Sequence, residues 1–197
     1  MIEIDYSHVW GNFVSKLIAV KKDNTYIKDN VKDYHPIVQF CLCLLGWNPG
    51  RDMFHHYTLG WQKEETDLSL IKGDFEIPIE VKLPSNVMNK SDQERLFEQM
   101  RISKSNIGIY IGEHVRVFYR PSIEDELKVV IDAALTENDI EGFAFAELFY
   151  NPRFDKEFLM SELDILYKLE RVLDDLCVTK LVSQEWIKDR YSKRALL

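Results

Sequence analysis

The 197-residue chain has no apolar run approaching the roughly 18 residues that a membrane span requires. Its first stretch, MIEIDYSHVW, is acidic and mixed and has none of the character of a secretory signal. Both absences lead to the expectation of a cytoplasmic protein without a membrane partner. Cysteine is scarce and odd in number: Cys41, Cys43 and Cys177. Such a set suits buried thiols in a reducing compartment rather than a disulfide framework. Cys41 and Cys43 lie on an apolar segment, where core packing is the expected role. No Gly-x-x-x-x-Gly-Lys-Ser/Thr run occurs. ATP-driven translocation would have to come from another chain or domain. Internal repeats and low-complexity segments are also missing.

What is present is a chain able to bury a proper core, 46% hydrophobic and 12% aromatic. The length fits one domain, or one domain with an appendage. The net charge of −8 is unevenly spread. Residues 1–121 hold 15 Lys and Arg against 16 Asp and Glu, and residues 122–197 hold 10 against 17. Phosphate contacts drive nucleic-acid affinity, so the acidic tail is not where a nucleic acid is expected to bind.

The most informative stretch is Thr66–Leu83, TDLSLIKGDFEIPIEVKL. It reads as a hairpin with Gly73-Asp74 as the two-residue turn. Ile77, Ile79, Val81 and Leu83 share one apolar face, and Glu76, Pro78, Glu80 and Lys82 share the other. Folding about the turn sets Lys72 opposite Phe75, Leu70 opposite Ile77 and Leu68 opposite Ile79. Counting on, Asp67 falls opposite Glu80, with Lys82 farther along the same face. Two carboxylates opposed across a strand pair repel. A hard divalent cation between them would remove that repulsion. The competing reading is an exposed strand face with a cross-strand ion pair.

Around the hairpin, helices are expected from Tyr6 to Val20 and from near Asp33 to Leu45, where Pro36 would sit in the first turn and Gly46 would stop the helix. A first strand follows from Met53 to Thr58. His55 and His56 point to opposite faces of it, so only one could join a site. After the hairpin, Ser91 and Glu94 match a capping box that opens a helix to about Ser103. Gln93, Arg95, Gln99 and Arg101 are its polar residues, with Gln93, Gln99 and Arg101, and Lys63 upstream of the hairpin, as nucleic-acid candidates. Strands are expected at 107–111 and 115–120. Beyond Pro121 the expectation is mainly helical: Ile123–Leu135, then Ile140–Tyr150, Phe154–Leu176 and about Ser183–Lys193. A second Glu-x-Lys, Glu126-Leu127-Lys128, falls on the first of these and reads as an ordinary solvated face. The whole is α/β, a mixed sheet of about four to five strands flanked by helices with a helical C-terminal extension. Residues 1–121 form the core with its N-terminal helices. Residues 122–197 pack on it or mediate self-association.

Asp67 followed by Glu80-Val81-Lys82, with a helix ending at Leu44-Leu45-Gly46-Trp47-Asn48 before it and a helix and the strands at 107–111 and 115–119 after it, resembles the signature of the PD-(D/E)XK nuclease superfamily. The order is similar to the N-terminal nuclease domain of type I restriction enzyme R subunits and its small stand-alone relatives, over roughly Asp29 to Tyr119. The resemblance implies a restriction-endonuclease-like core. It implies Asp67, Glu80 and the Val81 carbonyl as ligands of Mg²⁺ or Mn²⁺, and Lys82 as the residue that orients or activates water. Asp67, Glu80 and Lys82 would then be catalytic, in a DNA endonuclease of restriction or defence type. Thr66 stands where the family carries Pro. Asp29 and Asp33 are the nearest acids to the helical Glu often found upstream. The Gln-x-x-x-Tyr element is incomplete, because Phe97 and Ser103 lie four residues after Gln93 and Gln99.

The expected partners are DNA, other restriction-system subunits supplying motor or specificity, and a second copy through the C-terminal helices. A nuclease-fold module that binds nucleic acid or protein with little or no catalysis stays open as the alternative.

Overall fold

A computed structural model of the protein describes residues 4–22, 31–55, 58–59 and 64–178. His56, Lys63, Asp29, the side chains of Asp33 and Cys177, and the helix expected near Ser183–Lys193 lie outside the described residues or side chains.

Helices α1 (Tyr6–Lys22) and α2 (Val31–Leu44) come first. Trp10, Phe13, Val14 and Leu17 recur at helical spacing and are buried, which fixes the inward face of α1. Helix α2 starts two residues before the expected position, so Pro36 lies inside it rather than in its first turn. Gly46, at φ +85°, takes the left-handed conformation that ends α2. Cys41 is packed in the core and Cys43 is half-buried, as expected of core thiols, and burial pushes the Cys41 thiol up to about 12.

The strands are β1 (Met53–His55), β2 (Thr58–Leu59), β3 (Glu64–Glu65), β4 (Leu68–Lys72), β5 (Phe75–Val81), β6 (Ile107–Ile111), β7 (His114–Tyr119) and β8 (Lys128–Ala134). The strand expected over Met53–Thr58 is thus divided, and β2 pairs with β3 as a separate ribbon. The main sheet has six strands in the order β1-β4-β5-β6-β7-β8. Every pair is antiparallel except β5–β6, which is parallel. That parallel step is bridged by helix α3 (Lys90–Ile102). Helix α4 (Ile140–Leu148) and the long helix α5 (Lys156–Val178) complete the described residues.

The hairpin register is the expected one: Lys72 faces Phe75, Leu70 faces Ile77 and Leu68 faces Ile79. Gly73, at φ +62°, makes the turn. One face of the sheet carries the main core, where Ile77, Ile79, Val81, Ile109 and Val117 meet Trp10, Phe13, Leu42 and Phe145. On the other face a smaller cluster, Leu96, Met100, Tyr110 and Phe118, seats α3 against the sheet.

Strand β8 overturns the expectation of a helix over Ile123–Leu135 and adds a strand beyond the four or five expected. Its ladder with β7 explains the misreading. Val117 pairs with Ile131 and Phe118 with Val129, so Val130 is the extra residue of a bulge. The bulge places both Val130 and Ile131 in the main core, while Val129 packs on the opposite face. Two adjacent buried residues break the alternation of a strand and imitate helical spacing. Lys128 begins this strand, and its ammonium pairs with Glu126 at 3.4 Å and Asp174 of α5 at 2.5 Å. The second Glu-x-Lys is a surface ion pair, but on a strand end and not on a helix.

The helix expected over Phe154–Leu176 carries apolar residues on both its inward and its outward side. Leu159 and Leu163 are buried in the core, whereas Phe158, Ile165 and Val172 are exposed. Tyr119 at the sheet donates to Asp164 of α5 at 2.6 Å, and α5 packs along β8. Its first residue, Lys156, reaches the hairpin turn, 3.7 Å from Asp74 Oδ1 and 4.9 Å from the centre of the Phe75 ring, while Asp174 farther along the helix meets Lys128 of β8. Among the described residues no helix is long and apolar enough to cross a membrane.

Candidate active site

Strand β5 sends Ile79 and Val81 into the main core, so Glu80 between them must face α3. It is fully buried. The β4–β5 ladder ends at Leu68 and Ile79. One step further, the Asp67 side chain replaces the backbone pairing, its Oδ2 accepting from the Val81 N–H at 2.9 Å. In extended backbone the N–H and C=O of one residue point to the same side of the strand. The Val81 carbonyl is therefore directed to the side where Asp67 lies.

Helix α3 closes the site from above. Its N-cap is Asn89, whose side chain accepts from the Asp92 N–H, while Asp92 reaches back to the Asn89 N–H. This is a capping box, but two residues before the expected Ser91–Glu94 pair. Residues 92, 95 and 99 are three and four apart and share one helix face. All three reach the hairpin. Lys82 places its ammonium 2.8 Å from Glu80 Oε1 and 3.1 Å from Asp92 Oδ1. Arg95 lies between the two carboxylates, Nη1 at 3.3 Å from Glu80 Oε1 and Nη2 at 3.4 Å from Asp67 Oδ1. Gln99 donates to Glu80 Oε2 at 3.4 Å. From α2, His35 brings Nε2 to 3.9 Å of Asp67 Oδ2, and its ring lies 5.0 Å from that of His55.

The electrostatics follow from this crowding. Burial, and then the Asp67 charge, hold the Glu80 carboxyl above the ordinary carboxylate value, against the pull of Lys82 and Arg95. For Lys82, burial opposes the charge, but the hydrogen bonds and charges of Glu80 and Asp92 prevail and raise its pKa. The ammonium is thus fully protonated at neutral pH. Three carboxylates and two cations leave the cluster with one formal negative charge.

No protein-family model matches the chain, and no curated protein matches it. Its chemistry has to be read from these residues.

Among the described residues no three His, Cys, Asp or Glu side chains gather as a metal cage. The donor set here is smaller: Asp67, Glu80 and a backbone carbonyl. It fits Mg²⁺, which commonly rests on one or two carboxylates and keeps several waters. The buried pair of like charges, bridged by the Arg95 guanidinium, is the feature that bears on that fit.

The structure brings Asp67, Glu80, Val81 and Lys82 together, and Gln99 with them. Gln99 is fully buried, so it braces Glu80 and is not a surface contact for nucleic acid. Gln93 is half-buried and lines a separate hollow with Met88, Lys90, Glu113 and Arg116. Arg101 is exposed and pairs with Glu98 at 2.6 Å, away from the carboxylates. The sequence reading missed Asp92, His35 and the bridging role of Arg95. The spacing of Asp92, Arg95 and Gln99 was a usable signal for the α3 face. Nothing local marks His35.

Proposed function

We propose that the chain is a metal-dependent DNA endonuclease-like domain of the PD-(D/E)XK type, built on a restriction-endonuclease-like core. One observation carries the reading: the Asp67 and Glu80 carboxylates, from opposite arms of the hairpin, meet at one cation, with the Lys82 ammonium 2.8 Å from Glu80. The mixed sheet with a helix bridging its one parallel step is consistent with it.

Asp67, Glu80 and the Val81 carbonyl would hold Mg²⁺ or Mn²⁺. When bound, such an ion polarises a phosphoryl oxygen and acidifies a water molecule. Lys82, kept protonated, donates hydrogen bonds toward negative charge developing on the phosphate. Asp92 positions Lys82 through the 3.1 Å contact, and the capping box in turn holds Asp92. Gln99 fixes the Glu80 carboxylate from its second oxygen. The substrate would be DNA, with motor or specificity functions supplied by other restriction-system subunits.

The test is cleavage of plasmid, linear duplex and single-stranded DNA in Mg²⁺ or Mn²⁺, with Glu80→Ala and Lys82→Ala beside the parent. Loss of one such group should reduce cleavage by about 10²-fold or more. Undiminished cleavage by Glu80→Ala would refute this assignment. A second reading, a nuclease-fold module that binds without cutting, is favoured by the guanidinium standing between the carboxylates. Metal-independent DNA binding with no cleavage in any condition would select it.

A further inference from the structure

The two cations of the site are held very differently. Lys82 is 19% exposed and makes contacts of 2.8 and 3.1 Å. Arg95 is 42% exposed, and its contacts to Glu80 and Asp67 are 3.3 and 3.4 Å. Charge-assisted N–H···O bonds of good geometry are about 2.7–2.9 Å. Arg95 also gives one nitrogen to each carboxylate, where a strong arginine–carboxylate pair would be a two-pronged fork on one partner. It spans the pair, with one nitrogen 3.3 Å from Glu80 and another 3.4 Å from Asp67.

The charges point the same way. With Arg95 withdrawn, Asp67, Glu80 and Asp92 against Lys82 leave two negative charges, which one divalent ion neutralises. With Arg95 in place, the cluster holds only one negative charge. The guanidinium engages Asp67 Oδ1 and Glu80 Oε1, one oxygen of each acid that would bind an ion. Guanidinium does not lose its proton in proteins, so pH cannot remove this competitor. Only movement can, and a long side chain that is 42% exposed at the rim of the site has the reach to move.

We propose that Arg95 is the resident counter-ion of the Asp67–Glu80 pair, and that a divalent ion enters the site only by exchanging with it. The inference rests on the proposed metal site. It makes Arg95 a positioning residue whose presence sets the metal concentration at which the site becomes occupied. Without metal, the two carboxylates stay bridged and silent.

Mn²⁺ binding to the full chain, measured by the EPR signal of free Mn²⁺, tests the exchange. Arg95→Gln should bind about tenfold more tightly than the parent, since the ion no longer displaces a charge-assisted contact. Arg95→Lys keeps the charge but spans the pair less well, so its affinity should fall between the two. It also carries the test if Arg95→Gln does not fold by circular dichroism. Arg101→Gln removes a remote cation and should match the parent, and Glu80→Gln should abolish saturable binding. Equal affinity in the parent and both Arg95 variants, with binding still lost in Glu80→Gln, would overturn the exchange and leave the metal site standing. Weaker binding in Arg95→Gln would overturn it as well, making Arg95 a support of the site. Absence of saturable binding from the parent and the Arg95 variants alike would overturn the metal site and the exchange with it.

Discussion

Glu80→Gln should stabilise the metal-free protein at neutral pH. The usual result of removing one member of a buried ion pair is a stranded charge and a loss of about 3–5 kcal/mol. Here neither cation is stranded. Lys82 keeps Asp92 at 3.1 Å, and Arg95 keeps Asp67 at 3.4 Å. The substitution keeps the shape of the side chain and takes the cluster from one negative charge to neutrality. Glu80 has a raised pKa in the folded protein, from burial first and the Asp67 charge second. A carboxylate of that kind favours the fold while protonated, and this contribution is lost as pH rises through its folded pKa. The gain from Glu80→Gln therefore belongs above that pKa and vanishes below the ordinary value of 4.5. Replacing buried ionic groups is neutral to stabilising by about 1–4 kcal/mol, and the low end applies because Gln99 and Lys82 lose a charged acceptor. About 1 kcal/mol corresponds to a rise in Tm of about 2–4 °C at this chain length. Thermal melts in chelator at pH 7.5 and pH 4 read the difference. In Mn²⁺ at a hundredfold excess over Kd, the parent should gain about 2.7 kcal/mol and Glu80→Gln nothing. A lower Tm for the variant at pH 7.5, or the same gap at both pH values, would refute the reasoning.

Three further outcomes are expected. Asn151→Ala should lower Tm by about 4–8 °C, or about 2 kcal/mol. The side chain is buried and joins the Gly46 carbonyl at 2.8 Å, Asp52 at 3.0 Å and Lys72 at 2.6 Å, and a Tm within a degree of the parent would contradict this. Because Arg51, Asn48 and Asn151 hold the Asp52 carboxyl well below the usual range, its contribution is present above about pH 4 and fades as pH falls; Asn151→Ala weakens that hold, so its Tm should fall less than the parent's on acidification below about pH 4. Gly142→Ala should cost about 3 kcal/mol, since its Cβ would lie 2.0 Å from the buried ring of Trp10, whose Nε1 is tied to the Thr136 carbonyl at 2.8 Å. Gly11→Ala, with no atom within 4 Å of the new Cβ in α1, should instead stabilise by about 0.5–1 kcal/mol, and paired melts of the two variants check both signs.

The hairpin was legible because its turn and its alternation specify one register, and a slip of one residue would bury Glu76 and expose Ile77. The same stretch also gave the carboxylates and Lys82, since position along a strand decides the face. What lay beyond the sequence was set by long-range contacts. Two overlapping patterns could cap α3, Ser91 with Glu94 and Asn89 with Asp92. The second prevails where Asp92 also meets Lys82 of a different element. Arg95 was visible as a polar helical residue, but its bridge to Asp67 depends on how α3 seats on β5 and β6. His35 reaches Asp67 only because α2 packs against β5. In β8 the bulge at Val130 disguised a strand as a helix, and no local rule separates the two for so short an apolar run.

The charge balance of α3 bears on how such a chain could engage a polyanion. Its cations are already spoken for inside the protein. Lys90 pairs with Glu94 at 3.5 Å, Arg101 with Glu98 at 2.6 Å, and Arg95 with the site carboxylates. A DNA phosphate approaching this face therefore competes with carboxylates that are tied to the same donors. The first two pairs are solvent-exposed, so water and salt screen them and their partners exchange cheaply. Arg95 is different, because Glu80 and Asp67 are buried and cannot be left without a counter-ion. A divalent ion resolves that conflict in one step: it satisfies the buried pair and turns the guanidinium outward to where a phosphate would lie. On this account metal and DNA favour each other's binding, and by linkage each raises the affinity of the other by the same factor. If the proposed exchange holds, the near-neutral half would need no large basic surface to bind DNA, because the cation required would be released only when the site is loaded.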